Sequence, residues 1–399
     1  MTNTRRKMLA AAIMFIMTTT PLAVKGDTMP DFQGDARVGK RYPSEKASYI
    51  DEKTGVTVTM LTTTYARDNK LYQTHPSWTA DGACIIFSSD RSGSEQLYAL
   101  HEASGEIVQL THDSKVSPEH SFVNRYKNTL YYVCGDRILE LDINKALGAD
   151  GQLLDSKAGF QRPLATLPPH LKLSGTLTVD ADGEWVIIGT ERQDKKSQWA
   201  IYKINLGSGE FVLVTELDFH VGHCQSHPTR PGLIMFCHET GGDADQRMWL
   251  VDSDGSNLRP FYKETFNEWV THEVWWGADR ALFTIWPYNE EMRKKPHGIA
   301  AVELESGEMT ILSQHAYWHV GGSPDGKWAV GDTFEGDLYL VRADTRQTKL
   351  LTGGHRPPGA TVHPHPSFSP DGKRVLFCSE KNGHWDLFLI ELPNWEKLP

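Results

Sequence analysis

Short apolar runs separated by polar turns recur along the chain roughly every 35 to 50 residues, the period of propeller blades. The first copy shows the pattern in full. The turn Thr79-Ala80-Asp81-Gly82 leads into the apolar run Cys84-Ile85-Ile86-Phe87, a second run follows at Leu97 to Leu100, and the turn Ser104-Gly105-Glu106 opens a closing run that ends at Leu110. Later copies begin at Leu130, Trp185, Leu233, Ala281, Trp328 and Val375, which makes seven. The seventh stops at Leu392 without a closing strand. A segment of that pattern, Thr54-Gly55-Val56-Thr57-Val58-Thr59-Met60-Leu61, stands instead ahead of the first copy. Pairing it with the last copy would close a ring and remove the exposed edges of an open sheet. The expected fold is therefore an all-β, seven-bladed β-propeller closed by an N-terminal strand donated to the last blade.

Residues 54–399 are assigned to the propeller and 27–53 to an N-terminal extension. Residues 1–26 read as a signal peptide, because Arg5, Arg6 and Lys7 precede the apolar run Met8 to Met17 and small residues follow. That run is well short of the ~20 residues a spanning helix needs, so the expectation is a periplasmic or secreted protein with no membrane span in its mature form. The five cysteines are an odd number, spread widely and mostly inside apolar runs, which suits buried free thiols. The formal net charge of −10, with no basic stripe, argues against nucleic acid as a partner. An anionic ligand would need a local cationic pocket set against this overall field.

Candidate chemistry concentrates in the second half. His363-Pro364-His365 places two imidazoles two residues apart on an extended segment, so both can face one ion; the alternative is a repeat-specific turn, since His75-Pro76 and His227-Pro228 also open blades. His319 opens the preceding blade and offers a third nitrogen. Three neutral imidazoles suit Mn, Zn, Ni or Fe. A second constellation comprises Cys237-His238-Glu239, Arg247-Met248-Trp249 and Thr271-His272-Glu273. His272, at a blade opening like His319 and His363, is a candidate general base. Arg247 is either a buried ion-pair partner or a grip for a carboxylate. His238, His227 and Trp249 are the candidate substrate contacts beside that pair.

Taken together, Phe236-Cys237-His238-Glu239, Arg247-Met248-Trp249 with Asp254-Gly255-Ser256-Asn257, Thr271-His272-Glu273, His319 with Asp325-Gly326 and Val330-Gly331-Asp332, and His363-Pro364-His365-Pro366-Ser367-Phe368 resemble the oligogalacturonate lyase family. A fainter similarity runs through Asn69 to Gln73. The resemblance implies a seven-bladed propeller that cleaves pectin-derived uronate oligosaccharides by metal-assisted β-elimination to 4,5-unsaturated products. It implies that the residue matching His272 removes the C5 proton, that Arg247 assists at the same centre, and that a manganese-type divalent ion is held by His319, His363 and His365. The sequence departs from the family in two places. Ala360 stands where the family has a fourth ligand, a Gln, with His355 a possible substitute. Thr240-Gly241-Gly242 replaces a substrate-contacting His.

Two other readings compete. A propeller lyase for a different uronate glycan, such as ulvan, would keep the base and the Arg while changing the pocket. A non-catalytic glycan-binding propeller would give no reason for histidines to gather at blade openings. A peptidase is disfavoured because no G-x-S-x-G elbow occurs.

Overall fold

A computed structural model describes residues 38–148, 159–265 and 268–399; the predicted signal peptide and residues 27–37 lie outside the described residues. Its strands form seven separate antiparallel sheets in a propeller arrangement. Blade 1 comprises, from the axis outward, Asp68–Lys70, Cys84–Ser89, Gln96–His101 and Ile107–Gln109. Blades 2 to 6 follow over 116–166, 171–217, 221–260, 270–313 and 317–352, and blade 7 begins at Ser367–Phe368. Among the described residues no helix is long and apolar enough to cross a membrane.

Ring closure follows the expected route. Thr57–Met60 pairs with Asp386–Glu391, placing Met60 opposite Phe388, and the Leu61 N–H continues the ladder to the Leu387 carbonyl at 2.8 Å. The extension contributes more than the sequence suggests. Ala47–Ile50 pairs with Thr57–Met60 on the rim of blade 7, and Arg41–Tyr42 pairs with Ile107–Gln109 on the rim of blade 1. Both cover strand edges that would otherwise present unpaired backbone groups.

The core lies between the blades. Each of the seven buried apolar clusters draws on two neighbouring sheets, as where Ile86 and Leu97 of blade 1 meet Leu130 and Tyr132 of blade 2. The last seam joins Leu376 and Leu387 of blade 7 to Phe87 and Tyr98 of blade 1, so burial as well as hydrogen bonding closes the ring. All five cysteines are buried free thiols within these strands.

The repeated Asp-Gly signature has a local cause. In blades 1, 6 and 7 a hydroxyl on Thr79, Ser323 or Ser369 donates to the carboxylate of Asp81, Asp325 or Asp371 at 2.6, 2.7 and 2.5 Å. The same carboxylates accept the N–H of Ala83, Lys327 and Lys373. The glycine between adopts φ +71, +69 and +69, a left-handed turn conformation open to Gly at little cost. This unit turns each innermost strand into the second strand of its blade.

The sequence pattern resolves three strands per blade, and the structure adds the innermost fourth. Those strands are polar and interrupted by bulges at a shared level. Residues 223–224, 272–273 and 318–319 each insert two residues opposite one on the neighbouring strand. In blade 7 the Pro364 carbonyl accepts from Cys378 N–H and Ser367 pairs with Leu376, which puts His365 in the same register as His223 and His272. These three histidines share a left-handed backbone, with φ +46, +58 and +47. A β-carbon makes that conformation costly, and such strain concentrates at functional sites. The register also corrects the expectation that His319 and His363 share the position of His272. His319 lies one residue later in its bulge, level with Glu273, with Trp318 in the place of the histidine, and His363 lies two residues before the equivalent position, which His365 occupies.

Candidate functional site

The bulges bring side chains from five blades into a closed circuit about the axis. The ring of His272 lies 4.2 Å, centroid to centroid, from His319, and His319 lies 3.9 Å from His365. Tyr72 bridges His365 and His223 at 5.3 and 5.2 Å, and His223 Nδ1 meets Glu273 Oε1 at 2.8 Å. Glu273 follows His272 in the chain, so the circuit ends where it began. An open cleft of about 490 Å³ is lined by Lys70, Tyr72, Glu119, Gly175, His223 and His365 among others.

His272 is positioned by one contact. Its Nδ1 lies 2.5 Å from the Trp318 carbonyl, which can only accept, so Nδ1 carries the proton and Nε2 keeps a lone pair. Burial first, then the neighbouring His319 and Arg247, hold its pKa well below the ordinary imidazole value. The ring is therefore uncharged at neutral pH, with Nε2 able to accept a proton.

Arg247 is 1% exposed, and its guanidinium is shared between two carboxylates. Nε donates to Glu273 Oε2 at 2.9 Å, and Nη2 donates to Glu239 Oε2 at 3.2 Å. Burial alone would raise the pKa of Glu273, but Arg247 and His223 hold it well below the usual carboxylate range. The geometry shows the first reading of Arg247, a buried ion-pair partner, with its donors directed at Glu273 and Glu239.

The imidazoles of blades 6 and 7 have the form of a ligand set. His319 Nδ1 pairs with Asp332 Oδ2 at 3.0 Å, and the backbone N–H groups of His319 and His365 donate to the same carboxylate at 2.6 and 3.2 Å. His365 Nδ1 donates to the His363 carbonyl at 2.9 Å. Each ring is thereby oriented through one nitrogen with Nε2 left over, the second-layer arrangement of metal-binding histidines. His363 Nδ1 is buried without a partner. Ligand atoms of His319, Asp332 and His363 lie within 4.8 Å of one another. Burial lowers the pKa of His319 and His365 well below the ordinary value and that of His363 to about 4, which keeps all three unprotonated. The residues present therefore fit a divalent transition ion. His355 does not fill the place left by Ala360, because its nitrogens contact Thr352 Oγ1 and Ser379 Oγ at 2.8 and 3.0 Å. Beside Ala360 the Arg356 guanidinium binds the carbonyls of Phe334, Ala360 and Val362.

The candidate substrate contacts lie elsewhere. His238 and Trp249 pack on Phe219, at 4.5 and 5.6 Å, in the seam between blades 3 and 4. His227 is committed to the backbone: Nε2 meets the Ala278 carbonyl at 3.0 Å, and Nδ1 accepts from the N–H groups of Thr229 and Arg230. His75 is likewise held by Thr74 and the Leu177 carbonyl. Both His-Pro steps near the start of the chain and in blade 4 are structural turns. Two residues of the cleft were not singled out from sequence. Lys70 is buried, with its Nζ donating to the Leu71 carbonyl at 2.6 Å, and burial lowers its pKa to about 8. His223 carried no motif, although it stands one blade period before His272.

The profile of a family described as oligogalacturonate lyase matches residues 36–346. The chain belongs to the oligogalacturonate lyase family. The match takes in His223, Arg247, His272 and His319 and ends before the His363-Pro364-His365 segment. Two relatives span nearly the whole chain: the oligogalacturonide lyase of Pectobacterium atrosepticum and the oligogalacturonate lyase of Dickeya dadantii. Each is 24% identical, and each alignment covers 89% of this chain and 98% of the relative. Among solved structures, an oligogalacturonate lyase in complex with manganese superposes with a TM-score of 0.80 at 24% identity, covering 90% of this chain and 99% of the other. The oligogalacturonate lyase of Vibrio parahaemolyticus gives 0.77 at 22% identity over the same shares. At these identities the structural likeness establishes the propeller fold.

Proposed function

We propose that this protein cleaves 4-linked uronate oligosaccharides, oligogalacturonides foremost, by β-elimination with a divalent metal, manganese being the expected ion. The observation that carries the reading is His272: a neutral imidazole with its Nδ1 proton fixed on a carbonyl and its Nε2 free, set between a histidine ligand cluster and the Arg247 charge network. Family membership selects the reaction class.

The C5 proton of a uronate is weakly acidic while its carboxylate is fully charged. Cations at that carboxylate lower the barrier by stabilising the enolate-like charge as it develops. Lys70 is the cation that lines the cleft, beside Glu95 and Glu119, while Arg247 is paired with Glu239 and Glu273, so neutralising the substrate carboxylate falls to Lys70 and the divalent ion. His319, His363 and His365 would hold the divalent ion, which when bound supplies Lewis-acid neutralisation of the same carboxylate. His272 Nε2 removes the C5 proton, and the C4–O4 bond breaks to leave a 4,5-unsaturated product. Water is not consumed.

Export belongs to the same proposal: the basic and then apolar N-terminus would place the enzyme outside the cytoplasm, where polymer fragments arrive first. The test is a panel of oligogalacturonate, ulvan and glucuronan oligomers offered to the purified mature protein with and without manganese, read by the ultraviolet absorbance of the conjugated product. Rising absorbance with oligogalacturonates is expected. A response confined to ulvan or glucuronan would move the substrate assignment, and none with any uronate would overturn the lyase reading.

A further inference from the structure

Elimination from a 4-linked galacturonate needs two proton transfers at separate places. The C5 hydrogen and O4 project from opposite faces of the sugar ring, so the base that takes the first proton is badly placed to return one to the leaving oxygen. An unassisted C4–O4 cleavage would expel an alkoxide, and a positioned acid typically contributes about 10²–10⁴-fold to such a step. His272 accounts for the base alone.

His223 is the structural counterpart of His272 one blade earlier. Both open two-residue bulges at the same register, and both hold a left-handed backbone, at φ +46 and +58. They differ in what Nδ1 meets. For His272 it is a neutral carbonyl. For His223 it is the Glu273 carboxylate at 2.8 Å, itself fully buried and anchored by Arg247 at 2.9 Å. A carbonyl fixes a tautomer only, whereas a carboxylate can also hold a ring whose two nitrogens both carry hydrogen, the form a proton donor requires. Arg247 Nη2, which can only donate, lies 3.5 Å from the same nitrogen, so the 2.8 Å carboxylate contact is the one that sets Nδ1 as a donor.

The His223 Nε2 nitrogen lies 3.8 Å from Glu239 Oε2, outside hydrogen-bond reach, and so stays available to ligand. His223 lines the open cleft and keeps 15% of its side chain exposed. Gly175, in the matching bulge of blade 3, has φ +72, and a β-carbon there would sit 3.1 Å from the His223 backbone nitrogen, so glycine lets the two bulges approach this closely. His223, Cys237 and Glu239 are close enough to suggest a second metal site, but the Glu239 carboxylate is already taken by the Arg247 guanidinium and the Gly241 N–H.

We propose that His223 is the proton donor to the departing O4, acting opposite His272 as the base. This rests on the lyase reading above. His272 Nε2 takes the C5 proton, the C5–H electron pair becomes the second bond of C4=C5, and the C4–O4 pair leaves on oxygen. That oxygen takes the proton from His223 Nε2. The products are a 4,5-unsaturated uronate and a sugar with a free hydroxyl, and solvent returns the two histidines to their starting forms.

The test compares two substrates in the full-length mature enzyme: an oligogalacturonate, whose leaving group needs a proton, and a 4-O-nitrophenyl galacturonate, whose leaving group does not. With His223→Gln, kcat on the oligomer is expected to fall roughly 10²-fold or more while the nitrophenyl ether loses less than about 5-fold, with KM nearly unchanged. His272→Gln should lose both reactions. As a second measurement, added imidazole should partly restore His223→Ala on the oligomer. Equal losses on the two substrates without imidazole rescue, or retained oligomer turnover in His223→Gln, would overturn the proposal. So would a leaving-group-dependent loss in Tyr72→Phe in place of His223→Gln, since Tyr72 is the other proton-bearing group against His223. Failure of the lyase reading is distinguished by the wild type, which would then cleave neither substrate.

Discussion

At one end of the innermost strands, blades 1, 6 and 7 turn with nearly the same chemistry: a Thr or Ser hydroxyl, an Asp carboxylate that accepts it, and a left-handed glycine. At the other end the strands bulge, and the left-handed positions are filled by His223, His272 and His365. The turns draw most of their hydrogen bonds from within a few residues and repeat because every blade needs the same reversal. The bulges depend on partners from other blades as well, such as the Trp318 carbonyl for His272 and the Asp332 carboxylate for His365. Repetition builds the frame, and departure from the repeat, held in strained backbone, builds the site.

The comparison is broken most severely by removing the base. His272→Gln should lower kcat on oligogalacturonate by roughly 10²–10⁴-fold with the unfolding midpoint nearly unchanged, measured by initial rates and denaturant titration. Next is the charge network that both His272 and His223 lean on. Arg247→Met leaves Glu239 and Glu273 without their guanidinium, and unfolding free energy should fall by about 3–5 kcal/mol along with turnover.

A third test separates ligand from scaffold histidines. His363→Ala should sharply reduce manganese bound per chain by elemental analysis. His355→Ala should leave bound metal unchanged while costing about 1–3 kcal/mol, because it removes a buried imidazole and its hydrogen bonds to the Thr352 and Ser379 hydroxyls. The smallest effect belongs to the turns. Asp325→Ala should cost about 1 kcal/mol and leave kcat untouched, since Asp325 serves only the Ser323 hydroxyl and the Lys327 region of its own turn.

The same contrast governs how much was legible in the sequence. The second and third strands of each blade are continuous buried runs, such as Cys84–Ser89 and Phe236 with its neighbours, and their turns carry local chemistry, so the blade count and the donated strand follow from pattern alone. Innermost strands read poorly because their seam residues, such as Leu177, Val221, Val274 and Val320, are interrupted by polar and glycine residues at the bulges. Asp68–Lys70 contains no apolar residue at all. A bulge shifts register by one residue, and its place is fixed by neighbouring blades. That is why His319 looked equivalent to His272 and why His223 went unmarked. Arg247, His272 and the His-Pro-His segment were legible through resemblance to a family. The assignment of His227 as a substrate contact failed for a local reason: its ring nitrogens are spent on the Ala278 carbonyl and the N–H groups of its own turn.

The central claim is elimination rather than hydrolysis, and product mass tests it most directly. Oligogalacturonate incubated with the wild-type protein and manganese should yield, at each cleavage, one fragment of ordinary mass and one lighter by a single water, carrying the unsaturated non-reducing end. Fragments that are all of fully hydrated mass, or an oligomer left intact, would contradict it.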